Sequence, residues 1–426
     1  MENEKTILSV RMKERVLTAF KPGKTIDAQN AWNLYADIAW WGILAGIVST
    51  FLSVFVIRLG GSDMHVGLLS ALPALVTIFA SIPGSRLVER ETKPLLVLLV
   101  SAFLNRLGYL LVALVPLFFL TNRADVVVVL VGLLAIPGAV ANVAFTTMFG
   151  HAVEPEHRAR VVSIRNVWIG ITSTAIALIG GKFLDLLEFP INYQILFAVA
   201  FAGSMMSQYY LTRIRMPADP APVRTMASPR RGRGYFAMFR ESRGFARFAL
   251  TSFIFHWGLF FAVPLYSIYW VRHLNASDGW VGLINMVGSA TTIFFFPLWG
   301  RLTAQRGNRP AVILATMGLT LYPFFTALSP SVEWILVVSL LGGVFSSGYA
   351  LAFFNGLLEV CPEENRASHI AAYNTLINIA AFVSPILSTS LTDVFGIQAM
   401  LMLGAGLRLL GALLIWRGDV LVSEPR

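Results

Sequence analysis

The sequence predicts an all-α polytopic membrane protein whose twelve transmembrane helices form two pseudo-symmetric six-helix bundles. Composition is the first reason. The 426 residues are 56% hydrophobic and 13% charged, with a mean hydropathy of +0.69, outside the range of soluble globular chains. Internal repetition is the second. Val66-Gly67-Leu68, then Thr77-Ile78-Phe79, Gly84 and Pro94, recurs as Val281-Gly282-Leu283, Thr292-Ile293-Phe294, Gly300 and Pro310. The offset, 215 residues at the start and 216 at the end, is half the chain. Two equivalent halves in an apolar chain point to a solute carrier built by duplication.

Runs of about 20 apolar residues can cross a bilayer. They fall roughly at 34–57, 65–88, 94–120, 126–149, 160–186 and 191–213 in the first half. The second half repeats them roughly at 246–272, 279–302, 309–329, 332–360, 366–392 and 396–417. The segments 34–213 and 246–417 are therefore expected as two bundles. Between them, 214–245 breaks the apolar pattern with Pro217, Pro220, Pro222, Pro229 and the run Arg230-Arg231-Gly232-Arg233-Gly234, which reads as a basic cytoplasmic linker. Residues 1–33 and 418–426 read as cytoplasmic tails, and the first thirty residues lack an apolar core of signal-peptide length.

The formal net charge of +10 could suggest nucleic acid, but its distribution excludes that. With the N-terminus inside, cytoplasmic segments hold 27 of the 33 Lys and Arg, and outer loops hold four: Arg58, Arg123, Lys182 and Arg272. This asymmetry places both termini in the cytoplasm and the chain in a membrane, expected to be a bacterial cytoplasmic membrane. The lipid bilayer, not a nucleic acid, is the partner the charge serves.

No cofactor and no metal is expected. Cys361 is the single cysteine, the six histidines are scattered, and no nucleophile-base set is apparent, so an enzyme is not expected. Pro22-Gly23-Lys24-Thr25 ends like a phosphate-binding loop, but Thr18 stands where the first glycine belongs, which argues against ATP as the driver.

A second repeat supports the first. Pro155-Glu156-His157-Arg158-Ala159, ending at Asn166, corresponds to Pro362-Glu363-Glu364-Asn365-Arg366-Ala367, ending at Asn374, with an offset of 208 from the arginine onward. With Gly84-Ser85-Arg86-Leu87-Val88-Glu89-Arg90-Glu91-Thr92-Lys93-Pro94 and Gly300-Arg301-Leu302-Thr303-Ala304-Gln305-Arg306-Gly307-Asn308-Arg309-Pro310, the chain resembles the major facilitator superfamily along nearly its whole length. That family's loop between spans 2 and 3 has the sense Gly-x-Leu-x-Asp-Arg-x-Gly-Arg-Arg. Here Glu89 replaces the aspartate after one extra residue, and Gln305 leaves the second copy without an acid.

The resemblance implies a cytoplasmic latch that pairs with facing helix ends in one conformation and releases in the other. Its expected members are Glu89, Arg90, Lys93, Arg158, Arg301, Arg306, Arg309 and Arg366. Two further family motifs are degraded. Leu134 stands where span 4 carries an arginine ahead of Gly138, and only Gly180-Gly181 survive of the span 5 antiporter pattern.

Ionisable groups deep in a span cost at least ~2.5–3.5 kcal/mol and so need a reason. Asp37, Arg106, His256 and Arg408 are such groups. The family resemblance implies that spans 1, 4, 7 and 10 line the cavity, which ranks Asp37 and His256 above Arg106 and Arg408. It also brings in Trp41, Asn142, Trp257, Tyr349 and Asn355 as wall residues. Structural readings stand beside each: Asp37 as a helix cap, the arginines as interface charges, His256 as packing. If protons are the coupling ion, Asp37 or His256 carries them.

The expected function is secondary active transport of a small-molecule solute by alternating access, leaning to export of an amphipathic compound. Uptake of a sugar, organic acid or other metabolite is the alternative, and a non-transporting membrane sensor is the reading from another class. The chain is expected to work as a monomer.

Overall fold

The computed structural model describes residues 25–90, 94–216, 239–240, 242–363 and 366–418, without the side chains at 81, 82, 85, 88–90 and 367. Twelve long apolar helices carry the architecture. In the first half they are α1 (Ile26–Arg58), α2 (Asp63–Arg90), α3 (Pro94–Phe118), α4 (Arg123–Ala152), α5 (Pro155–Leu184) and α6 (Ile191–Thr212). In the second they are α7 (Arg243–Ile268), α8 (Asp278–Arg306), α9 (Asn308–Ala327), α10 (Val332–Val360), α11 (Arg366–Phe395) and α12 (Ile397–Arg417). Among the described residues there is no strand, as a bilayer-spanning backbone that must satisfy its own hydrogen bonds demands.

Helix α1 begins eight residues before the apolar run, inside the segment expected as a tail. Thr25 Oγ1 caps it by accepting from the Ala28 N–H at 3.2 Å, so the residue that ended the apparent phosphate-loop match serves as a helix cap. The extra turns are held by polar contacts. Asn30 is 2% exposed and donates to the carbonyls of Ala152 (3.0 Å) and Arg215 (2.9 Å), while its own oxygen accepts from Arg215 N–H (2.9 Å). Hydropathy alone does not register a helix end whose stability comes from such bonds.

The repeat motif expected as a loop is mainly helix. Gly84 to Arg90 form the last turns of α2, and Gly300 to Arg306 those of α8. The second turn is reduced to Gly307, whose φ of +80° is open to glycine at little cost.

Packing within each half follows one pattern. In the first half α1 contacts α5 and α6, α6 contacts α3, α3 contacts α4, and α4 contacts α2; adding six to each number gives the second half. The halves meet along two related seams, α2 with α11 and α5 with α8. Six crossings per half put the ends of both halves on one face, here the terminal face.

The repeat glycines sit in those seams, near the opposite face. A Cβ on Gly67 of α2 would meet Thr389 and the Pro385 carbonyl of α11. One on Gly282 of α8 would meet the Ala177 carbonyl and Gly181 of α5. The glycines are 215 residues apart and their partners 208 apart, so both sequence repeats describe one contact made twice. Absence of a side chain is what lets the helices approach this closely.

Polar contacts between the halves cluster at the same face. Arg58 donates from Nη2 to Asp278 Oδ1 (3.4 Å) and the Ala276 carbonyl (3.1 Å). Arg272 pairs with Asp63 and donates to the Gly61 carbonyl. Asp185 accepts from Ser277 Oγ (3.0 Å) and Gly279 N–H (3.1 Å). Helix α7 ends in a widened π turn, Tyr269–His273, that carries Arg272 at its last turn.

Candidate functional site

Two of the cavities lined by described residues hold the candidate residues, one in each half. The first, about 420 Å³, lies among α1, α3, α4, α5 and α6, in the part of the half nearer the terminal face. The second, about 470 Å³, lies among α7, α8, α9, α10 and α12, nearer the opposite face. Both have the size of a small-molecule site.

Asp37 faces the first cavity at 3% exposure, well inside α1, so it is no helix cap. It is the hub of a buried polar chain. Arg165 Nη1 donates to Asp37 Oδ2 (3.0 Å) and the Leu34 carbonyl (2.7 Å), and its guanidinium lies 4.6 Å from the centre of the Phe145 ring. Ser207 Oγ donates to Asp37 Oδ1 (2.6 Å) and accepts from Arg106 Nη2 (2.8 Å). Arg106 also bonds Gln208, whose Nε2 donates to the Leu99 carbonyl at 2.8 Å. Helices α1, α3, α5 and α6 are thereby tied through one carboxylate and two cations. Trp41 and Asn142 complete the wall.

Arg165 is the site residue the sequence did not single out. It counts among the charges flanking spans 4 and 5, yet α5 begins at Pro155 and carries it inward to 8% exposure. A partner search across helices, Asp37 against every arginine inside a span, would have needed α5 extended by a full turn and more.

The second cavity is walled by aromatics. Tyr266, Trp270, Tyr322 and Tyr349 line it with Arg408 and Asn285. His256 stands one layer behind. Its Nδ1 lies 2.7 Å from the Ser252 carbonyl, which can only accept, so Nδ1 carries the proton. Nε2 then accepts from the Tyr349 hydroxyl at 2.5 Å. Arg408, 2% exposed, donates to the carbonyls of Gly258, Leu259 and Leu319 and to the Tyr266 hydroxyl.

Of the residues expected in the walls, Asp37, Trp41, Arg106 and Asn142 come together in the first cavity, and Tyr349 and Arg408 in the second. Trp257 lies on the Phe253 side of α7, packed edge-on against that ring at 5.5 Å, and neither it nor Asn355 lines these two cavities.

The expected latch residues are spread over the terminal face. Arg158 donates to the Val153 carbonyl (3.0 Å) and the Gly150 carbonyl (2.5 Å) of its own half. Arg366 pairs with Glu363 one turn away at 3.7 Å. Arg301 and Arg306 are exposed on the last turns of α8, and Arg309 opens α9. The side chains of Glu89 and Arg90, and Lys93 entirely, lie outside the described residues, as does the run Arg230 to Gly234.

Known proteins share this architecture. A solved bacterial homologue of the human lysosomal transporter Spinster, in an inward-facing and occupied conformation, superposes with a TM-score of 0.70 at 11% identity, covering 92% of this chain and 97% of that one. A D-xylose-proton symporter gives 0.69 at 15% identity, covering 91% and 96%. By sequence, the multi-drug resistance efflux pump PmrA of Streptococcus pneumoniae is 25% identical over 32% of this chain. The staphyloferrin B transporter of Staphylococcus aureus is 28% identical over 36% of it. These matches span about a third of each relative's own length, 34% and 37%. The family model for the Major Facilitator Superfamily matches residues 35–269 and again 248–425, once per half. The twelve-helix duplicated chain is an integral multi-pass membrane transporter, not an enzyme, and belongs to the Major Facilitator Superfamily.

Proposed function

We propose that this protein exports an amphipathic organic solute by alternating access, loading it from the cytoplasm. One observation carries the reading: the halves are joined by ion pairs and glycine contacts at the face opposite the termini. With the termini in the cytoplasm, as the Lys and Arg distribution argues, that is the outer face, and this conformation faces the cytoplasm, the side from which an exporter loads. The aromatic walls with few polar groups suit an amphipathic molecule. The relative named as a multi-drug resistance efflux pump lies in the same direction.

Alternation follows from the pseudo-symmetry. When the outer ion pairs release, the terminal face closes, and Glu89, Arg90, Lys93, Arg158, Arg301, Arg306, Arg309 and Arg366 supply the charges that latch it. The energy source in this reading is the proton gradient, with Asp37 as the carrier that exchanges its proton for Arg165 and Ser207, and His256 as the second titrating group. A monomer in a bacterial cytoplasmic membrane suffices, because one chain supplies both halves.

Solute flux in proteoliposomes, with and without an imposed proton gradient, tests the proposal. Export requires uptake into inside-out vesicles that collapses when the gradient is removed. Flux in Asp37→Asn and His256→Asn with coupling unchanged in both would rule out the proton path, and absence of any gradient-dependent flux would sink active transport.

A further inference from the structure

Arg408 is a buried cation that has no carboxylate partner among the described residues. Its Nε donates to Gly258 O (3.3 Å), Nη1 to Leu319 O (3.0 Å), and Nη2 to Leu259 O (3.2 Å) and Tyr266 Oη (2.9 Å). The Leu319 carbonyl is available because Pro323, four residues on, has no N–H to offer it. These bonds occupy four of the five N–H groups of a guanidinium and leave one Nη1 hydrogen without an acceptor among the described residues. Carbonyl dipoles solvate the charge; they do not neutralise it.

The cavity beside it has no Asp or Glu in its lining. In the other half, Asp37 answers two arginines, Arg106 and Arg165. The two cavities together therefore present three arginines to one carboxylate. In a membrane interior, where charges are poorly screened, such an excess attracts an anion and repels a cation. The Arg106 and Arg165 cluster is already closed by Asp37, Ser207 and Gln208. One carboxylate leaves that cluster one positive charge in excess, whereas Arg408 has no carboxylate at all among the described residues and lies in an aromatic wall.

We propose that the cavity of the second half takes the anionic head, a carboxylate or similar oxyanion, of an amphipathic solute, with Arg408 as its counter-charge. Tyr266, Trp270, Tyr322 and Tyr349 seat the apolar body. The assignment narrows the substrate class of the proposed exporter and rests on that reading for the transport step after binding. A small inorganic anion would leave the aromatic walls unused, and about 470 Å³ is far more room than it needs.

The test uses full-length protein in nanodiscs and matched probes: 2-naphthoate, indole-3-acetate and 4-phenylbutyrate, each beside its primary amide and the corresponding amine. Binding is read by melting temperature and by titration. At least one acid is expected to raise the melting temperature and to bind ten-fold or more tighter than its amide, with the amines weakest. Arg408→Gln should abolish the preference and Arg408→Lys should keep it.

Because Arg408→Gln also removes contacts within the fold, Asn285→Asp provides a second variant. Asn285 lines the same cavity and the change is isosteric, so Arg408 keeps its bonds while the cavity gains a negative charge. Acid affinity should fall about ten-fold. Equal binding of acids and amides, preference for amines, no binding of any acid, or an acid preference that survives both Arg408→Gln and Asn285→Asp would each overturn the proposal. Flux of the same compounds separates it from the function. Acids that bind and are not transported count against transport alone, whereas transported amines with no acid binding count against this site alone.

Discussion

Arg165 Nη1 lies 3.0 Å from Asp37 Oδ2 in the wall of the first cavity, with side chains 10% and 4% exposed. The pair bridges α1 and α5, and α5 is one of the helices through which the halves touch. Removing one partner leaves the other charge buried and alone, which costs about 3–5 kcal/mol. Asp37→Asn and Arg165→Gln should each lower the melting temperature of the purified protein markedly. Arg158→Gln should change it less, since that side chain is only partly buried and bonds local carbonyls alone. The double variant Asp37→Asn with Arg165→Gln should lose less than the sum of its parts; strict additivity would mean the pair contributes no coupling.

The outer ion pairs set which face is sealed. Arg58 with Asp278 and Arg272 with Asp63 are partly exposed, at 36% and 9%, and 35% and 11%. Because the aspartates are buried, losing an arginine costs more than the ~0.2–1 kcal/mol of an exposed pair and less than the ~3–5 kcal/mol of a fully buried one, so neutralising one should shift the conformational ratio by about five-fold or more. An Asn142→Cys probe in the first cavity, in a Cys361→Ser background, reports this with a membrane-impermeant maleimide. Arg58→Gln with Arg272→Gln should slow labelling from the terminal face and speed it from the opposite one. Unchanged labelling from both would show that the pairs do not bias the equilibrium.

Gly67 and Gly282 make a sharper version of the same experiment, because Gly282 faces only backbone of α5, and Gly67 faces the Pro385 carbonyl of α11 and the Thr389 side chain hydrogen-bonded to it. Valine at either position forces α2 from α11 or α8 from α5. Transport should be lost in both variants and labelling of Asn142→Cys should shift toward the opposite face, while Gly244→Ala, with nothing near it, should be silent.

Cys361, just past the end of α10, is 3% exposed, and burial pushes its thiol up to about 11. Thiolate is the reactive form, so a thiol raised from the ordinary value of 9.0 to about 11 has a thiolate fraction at pH 7.5 about 100-fold below that of an exposed cysteine. Alkylation should be correspondingly slow and should accelerate about ten-fold per pH unit toward pH 11. On stability the effect has a definite sign: the unfolded chain ionises first, so the contribution of the neutral thiol is intact below about pH 9 and fades as pH rises toward 11. Rapid labelling of the folded protein at pH 7.5 would contradict this.

Legibility differs between scaffold and site for a physical reason. Helix count and duplication are local or periodic properties. An apolar run such as 191–213 declares itself, and Gly67 and Gly282 mark equivalent places before either is seen to touch anything. Asp37, Arg106, His256 and Arg408 could be singled out one by one, because a charged or titratable residue within a span is conspicuous. Their relationships could not. Arg165 reads as a flanking charge until α5 is placed against α1, and Asp37 reads as a helix cap until α1 is seen to begin at Ile26.

The sequence by itself determined the membrane environment, the twelve crossings, the doubling and three of the six charged residues buried among the described ones, Asp37, Arg106 and Arg408, because hydropathy and repetition act along the chain. Only the tertiary structure decided which charges neutralise one another. Asp37 is satisfied by Arg165 and Ser207 from helices more than a hundred residues away, and Arg408 is left with carbonyls and a hydroxyl. Charge compensation acts over a few ångströms through space, and no pattern of spacing along the chain contains it.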